Sequence, residues 1–138
     1  MKDLNYTIGK LAKASGVTVE TVRFYEQKGL IQQPEKKSGY RKYPVDEVIK
    51  IKFIKRTQEL GFTLAEAKEL LELRVKTTAK CGQVRKTAES KLQEVEEKIK
   101  DLQRMKRSLT KMVSTCTNNE KSTSECPILE CFEKDKKC

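Results

Sequence analysis

Thr7-Ile8-Gly9-Lys10-Leu11-Ala12-Lys13-Ala14-Ser15-Gly16-Val17-Thr18-Val19-Glu20-Thr21-Val22-Arg23-Phe24-Tyr25-Glu26-Gln27-Lys28-Gly29 is the stretch on which the fold turns. Thr7 is placed to cap a helix in which Ile8, Leu11 and Ala12 fall at helical spacing. Ser15-Gly16-Val17 breaks that helix, Thr18 caps a second, and Gly29 stops it. Val19, Val22, Phe24 and Tyr25 are the expected inward residues of the second helix. Two short helices joined by a tight glycine turn form a helix-turn-helix, whose second helix enters the major groove of DNA. Arg23 is then placed to reach a base edge or a phosphate, and Thr18, Thr21 and Tyr25 to donate to phosphate oxygens. Other αα-hairpins share this pattern, so the flanking sequence decides.

Downstream, Pro34-Glu35-Lys36-Lys37-Ser38-Gly39 is turn-rich, and Tyr40-Arg41-Lys42-Tyr43 alternates aromatic with basic residues. A short strand there puts Tyr40 and Lys42 on one face and Arg41 and Tyr43 on the other. That makes a small wing able to lie along a phosphate backbone; the alternative is a polar loop with two half-buried tyrosines. Pro44 precedes a third helix, about 45–59, with Val48, Ile49, Ile51, Phe53 and Ile54 as its buried residues, and Gly61 ends it. Thr63-Leu64-Ala65-Glu66 reads as a capping box. It opens a fourth helix to about Leu73, with Leu64, Ala67, Leu70 and Leu71 inward.

The charge supports this direction. The 138 residues carry 30 Lys plus Arg against 20 Asp plus Glu, a net charge of +10. Between 36 and 56, eight basic residues face only Asp46 and Glu47. Such a patch suits a polyanion such as DNA. The chain has no His, which excludes Ser-His-Asp hydrolysis and His-ligated metal catalysis. No general base stands near any Cys, so an enzyme is not expected. No apolar run approaches the roughly 20 residues of a membrane span, and Met1-Lys2-Asp3-Leu4-Asn5 has no apolar leader core. The expectation is a cytoplasmic protein whose thiols stay reduced and serve metal or redox chemistry.

From Gln83 to about Ser114 the chain lacks Pro and Gly, and Ala88, Leu92, Val95, Ile99, Leu102, Leu109 and Val113 recur in heptad steps. One such helix cannot bury its own seam, which predicts a second copy as partner. Cys81 begins this helix and Cys116 ends it. At 1.5 Å per residue their sulfurs are roughly 50 Å apart along one helix. Only an antiparallel pair would set Cys81 of one copy beside Cys116 of the other. The polar run 117–125 leads to Cys126-Pro127-Ile128, where Pro127 opens a short helix. Cys81, Cys116 and Cys126 without imidazole form a soft donor set, selective for thiophilic ions over Mg²⁺ or Ca²⁺. Cys131 is a candidate fourth ligand or a surface thiol, and Cys138 ends the Lys-rich tail. A thiol-based metal buffer or a redox sensor is the alternative of another class.

Taken together, Tyr6-Thr7-Ile8-Gly9-Lys10-Leu11-Ala12, Thr21-Val22-Arg23-Phe24-Tyr25-Glu26, Lys28-Gly29-Leu30, Gly39-Tyr40-Arg41-Lys42-Tyr43 and Leu60-Gly61-Phe62-Thr63-Leu64 resemble the MerR family of transcriptional regulators over residues 6–73. The resemblance implies a mainly α fold: a winged helix-turn-helix DNA-binding domain (1–75), an antiparallel coiled-coil dimerisation helix (76–115), and a C-terminal metal-binding loop, short helix and tail (116–138). It also implies DNA contacts by Thr18, Thr21, Arg23 and Tyr25 from the recognition helix and by Tyr40 and Arg41 from the wing. Lys36 and Lys55 fall near backbone-contacting positions. Cys81-Gly82, Cys116 and Cys126-Pro127-Ile128 resemble the three ligand cysteines of the divalent heavy-metal branch. The copper(I) and silver sensors have Ser where Cys81 stands. The zinc sensors carry a second Cys beside the first loop Cys and a His in the loop, where this chain has Thr117 and no His. Hg(II) is therefore the first expectation, then Cd(II) or Pb(II), with Zn(II) last. By the same resemblance the homodimer stays on operator DNA, and metal binding distorts the operator so that RNA polymerase can use the promoter.

Overall fold

The computed structural model describes residues 5–37 and 39–134. The chain divides into two compact units, 1–91 and 92–138, and each is described by itself.

The first unit begins with β1 (Asn5–Tyr6) and α1 (Ile8–Ser15). The Thr7 side chain accepts from the Lys10 N–H, and Gly16 ends α1 in the left-handed region at φ 73°, a conformation that costs a side-chain-bearing residue strain. The Thr18 hydroxyl then accepts from the Thr21 N–H and starts α2 (Val19–Gln27). After α2 come β2 (Lys36–Lys37) and β3 (Tyr40–Arg41), paired antiparallel as a wing. The wing is shorter than expected. The Tyr40–Tyr43 run splits at Lys42, and β4 (Tyr43–Pro44) leaves the wing to pair with β1, in register Tyr6↔Tyr43. This sends Tyr43 into the core at 1% exposure and leaves Tyr40 outside at 66%. The two tyrosines are thus not equivalent.

α3 (Glu47–Glu59) buries Ile51 and Ile54 completely. Ile49, expected inside, is 72% exposed. At 3.6 residues per turn it lies about 200° from Ile51, on the opposite face. Phe24 on α2 is likewise outside, because Val22 and Tyr25 already define the buried stripe of that short helix. α4 (Leu64–Val75) starts with the expected capping box: Thr63 accepts from the Glu66 N–H, and the Glu66 carboxylate accepts from the Thr63 N–H at 2.8 Å. Helix α1 packs on α2 and α3, and α3 packs on α4. Leu11, Ala12, Val22, Tyr25, Leu30, Ile31, Tyr43, Ile51, Ile54 and Ala67 form the shared core. Each large apolar side chain buried there contributes about 1.5–3 kcal/mol.

α5 (Cys81–Thr115) is a continuous 35-residue helix. In the first unit it contributes the buried Lys91. In the second unit its seam residues Leu92, Ile99, Leu102, Met105, Leu109 and Val113 are all exposed. A helix with this uncovered stripe matches the expectation of a helix built for a partner. The chain then makes a 3₁₀ turn at Thr123–Glu125 and ends the described part with α6 (Pro127–Glu133), Pro127 in its first turn.

Candidate nucleic-acid interface and thiol cleft

The first unit gathers cations around one groove. A cleft of about 180 Å³ is lined by Thr7 and Ile8 of α1, Arg23 of α2, and Gln33, Lys36, Gly39, Tyr40 and Arg41 of the wing segment, with Tyr43 at its floor. Four of the residues singled out in the sequence, Arg23, Lys36, Tyr40 and Arg41, therefore meet on one concave surface. The wing is braced by the Arg41 Nε–H, which donates to the Pro34 carbonyl at 3.0 Å. The recognition helix is braced by Tyr43, whose hydroxyl donates to Glu26 Oε2 at 2.6 Å. Burial, then the bond to Glu26 and its charge, push the Tyr43 hydroxyl well above its ordinary pKa, against the pull of Arg41 and Arg23.

The other four expected DNA contacts sit differently. Thr18 is exposed, but its hydroxyl already caps α2 and lies 2.9 Å from that of Thr21, which is half-buried. Tyr25 takes its expected inward place. It is 4% exposed, and its hydroxyl donates to Gln58 Oε1 at 3.0 Å on α3. Burial raises its pKa. Tyr25 is a core residue here, because the 3.6-residue period carries it to the same face as Val22. Lys55 donates to the Gly16 carbonyl at 2.9 Å, which ties α3 to the turn between α1 and α2. Glu26, Gln58 and Tyr43 escaped the sequence reading as supports of this surface. Their contacts are between distant elements, and no local spacing announces them.

In the second unit Cys116 and Cys126 line one cleft of about 260 Å³, together with Thr115, Thr117, Asn118, Asn119, Lys121, Thr123 and Pro127. No carboxylate is among these lining residues. The loop closes on itself by short turns. Asn118 Oδ1 accepts from the Glu120 N–H at 3.0 Å, and Ser122 caps the 3₁₀ turn. The Cys126 N–H donates to the Thr123 carbonyl at 3.3 Å. Cys126 precedes α6 without committing its side chain to the cap, so its sulfur is available. Cys81 stands at the first position of α5 as an exposed free thiol and is not among the residues of this cleft. Among the described residues no three His, Cys, Asp or Glu side chains gather into a metal-holding cluster. Cys131, the candidate fourth ligand, is half-buried on α6 and is not among the residues that line this cleft. Cys138 lies outside the described residues. The donor set of the cleft fits a thiophilic ion: two soft sulfurs and no hard carboxylate.

Residues 6–73 match the family model described as "MerR HTH family regulatory protein", and 48–112 match "MerR, DNA binding". The chain is 44% identical over 126 residues to the mercuric resistance operon regulatory protein of Shigella flexneri, covering 91% of this chain and 85% of that protein. It belongs to the MerR family. As a MerR-family protein it is a DNA-binding transcriptional regulator and not an enzyme. Two solved MerR-family structures share its fold. The lead(II) complex of PbrR691 from Ralstonia metallidurans CH34 superposes with a TM-score of 0.81 at 32% identity, over 92% of this chain and 98% of that one. The mercury(II) complex of MerR from Bacillus megaterium MB1 gives a TM-score of 0.67 at 40% identity, over 94% and 100%. No helix among the described residues is long and apolar enough to cross a membrane.

Proposed function

We propose that this MerR-family regulator is metal-responsive and activates a heavy-metal resistance promoter, with Hg(II) as its inducer. The observation that carries the reading is the cleft in which Cys116 and Cys126 face each other's surroundings without a carboxylate. Similarity to mercuric resistance regulators, and to a mercury(II)-bound structure, supports the choice of ion. Cd(II) and Pb(II) come next, since the lead(II)-bound relative shares the fold. Zn(II) comes last, because it prefers four ligands and this chain has no His.

The exposed seam of α5 supports a homodimer, and the roughly 50 Å between Cys81 and Cys116 along one helix favours an antiparallel one. A thiophilic ion held by Cys116 and Cys126 of one protomer and Cys81 of the partner subunit would supply a covalent-strength link across that dimer. Arg23, Lys36, Tyr40 and Arg41 grip operator DNA from the recognition helix and the wing. Thr18, Thr21 and Lys55 hold the recognition helix in place, with Lys55 also near the phosphate backbone. By role the chain divides into a DNA-binding domain (1–75), a dimerisation helix (76–115) and a metal loop with its helix and tail (116–138). The two DNA-binding domains act in the cytoplasm on a single operator, and a change in their spacing deforms the DNA between them. RNA polymerase then engages a promoter it otherwise uses poorly.

Titration of the purified dimer with Hg²⁺, Pb²⁺, Cd²⁺ and Zn²⁺ tests this reading, with thiolate-to-metal absorption and promoter transcription followed together. Cys81→Ser, Cys116→Ser and Cys126→Ser should each abolish induction while operator binding survives. Full induction in any one of the three would overturn the three-thiolate site.

A further inference from the structure

Lys91 is the one buried charged side chain among the described residues, at 6% exposure. It belongs to α5, yet its contacts lie at the corner between α3 and α4. Its ammonium sits 3.0 Å from Glu66 Oε1 and 5.6 Å from the centroid of the Phe62 ring. Its stem passes beside Gly61, close enough that a Cβ built there would meet Lys91 Cδ at 3.9 Å. The same Glu66 oxygen accepts from the Thr63 N–H at 2.8 Å. One atom thus serves both the start of α4 and the anchor of α5. The Thr63 N–H, and then Lys91, hold the Glu66 carboxyl below its ordinary pKa.

A lysine is retained in such a place only when its charge is compensated, here by a carboxylate and a ring face. Helix α5 packs on no element of the first unit as broadly as α1 and α4 each pack on α3. Lys91 is the buried residue of α5. From it a continuous set of contacts leads inward. Glu66 and Phe62 belong to the α3–α4 corner, α4 packs on α3, and Lys55 of α3 holds the Gly16 carbonyl. Gly16 stands just before the Thr18-capped helix that carries Arg23.

We propose that Lys91 is a positioning residue that couples α5 to the DNA-reading helices, so that a metal-induced shift of α5 reaches Arg23 through the Lys91–Glu66–Phe62 joint. The proposal rests on the metal-responsive reading above. Energetic coupling of this kind requires a demonstrated bias and not adjacency alone, so the test measures coupling directly.

The experiment uses the full-length dimer on an operator carrying a donor and an acceptor dye at its two ends, with and without Hg(II). Lys91→Met keeps most of the stem and removes the charge; Lys91→Arg restores it. In Lys91→Met the metal-dependent change in energy transfer and in transcription should fall about tenfold or more, the scale of coupling between linked sites. Hg(II) stoichiometry and metal-free operator affinity should hold, and Lys91→Arg should recover part of the response. A merely structural role would instead lower metal-free affinity and response together. Should Lys91→Met unfold, Glu66→Gln, which keeps an oxygen for the Thr63 N–H, carries the same expectation. A wild type with no response overturns the proposal together with the reading beneath it. A responding wild type with equally responsive folded variants overturns the proposal alone.

Discussion

The Tyr43 hydroxyl donates to Glu26 Oε2 at 2.6 Å, and this bond joins the strand after the wing to the recognition helix. Tyr43 follows Arg41 by two residues, and Glu26 follows Arg23 by one helical turn. The pair therefore fixes the spacing between the two arginines of the groove. Tyr43→Phe removes only the hydroxyl and leaves a charged acceptor unsatisfied. A hydrogen bond to a charged group contributes about 1.5–3 kcal/mol, and urea unfolding should show a loss of that size. Operator affinity should fall as well, although no DNA-facing group has been deleted. Unchanged affinity in a gel-shift titration would show that the wing and helix keep their spacing without this bond.

The fold was legible where local chemistry dictates it. Thr7, Thr18 and Thr63 cap the helices expected of them, and Gly16 and Gly61 sit in the left-handed region at the expected breaks. What escaped the sequence depends on distant pairing. Tyr43 was visible as half of an alternating run, but only its pairing with Tyr6 across β1 and β4 sends it inward. Tyr25 reads both as an inward residue and as a donor to phosphate, and what the sequence does not show is that Gln58, 33 residues away, accepts from its hydroxyl. Ile49 is expected among the buried residues of α3, and helical phase turns it away from Ile51 to the exposed face. The thiol cleft was half legible. Cys116 and Cys126 share a loop, so their meeting is a short-range event, while Cys81 can join them only through a second chain.

Alkaline pH should weaken the reading head. Tyr43 and Tyr25 both have pKa values raised above the ordinary 10.0, chiefly by burial. In the unfolded chain both ionise near 10.0, while in the folded chain both stay protonated beyond it. Unfolding therefore releases protons at high pH, and the stabilisation is whole below pH 10 and declines above it. The midpoint of urea unfolding should fall between about pH 10 and 11 in wild type, and fall less in Tyr43→Phe. An identical alkaline decline in that variant would assign the effect to other groups.

Arg23 and Tyr25 should separate cleanly by experiment. Arg23→Ala deletes an exposed guanidinium on the groove and leaves the core intact. It should weaken operator binding by about 1–3 kcal/mol if it reads a base edge, or lower the salt dependence by about one ion if it holds a phosphate. Its unfolding curve should match wild type. Tyr25→Phe, in contrast, removes a part-buried bond between α2 and α3. It should cost about 0.5–1.5 kcal/mol of stability and leave the salt dependence of operator binding unaltered. A reduced salt dependence in folded Tyr25→Phe would return Tyr25 to the DNA surface.

The seam of α5 gives the last prediction. Leu102 and Leu109 are exposed on one chain and one heptad apart, so a partner helix must cover both. Covering each contributes about 1.5–3 kcal/mol. Leu102→Glu with Leu109→Glu should therefore convert the dimer to monomer in sedimentation at micromolar concentration, with loss of operator binding. Strand direction is checked separately in a Cys126→Ser background with a short bifunctional thiol reagent. An antiparallel pair places Cys81 of one protomer at the Cys116 end of the other, because α5 runs from Cys81 to Thr115. Peptide mapping should then recover Cys81 joined to Cys116, and only between chains, since one helix holds them about 50 Å apart. Recovery of Cys81 joined to Cys81 would instead establish a parallel pair, and the three-thiolate site would have to be abandoned with it.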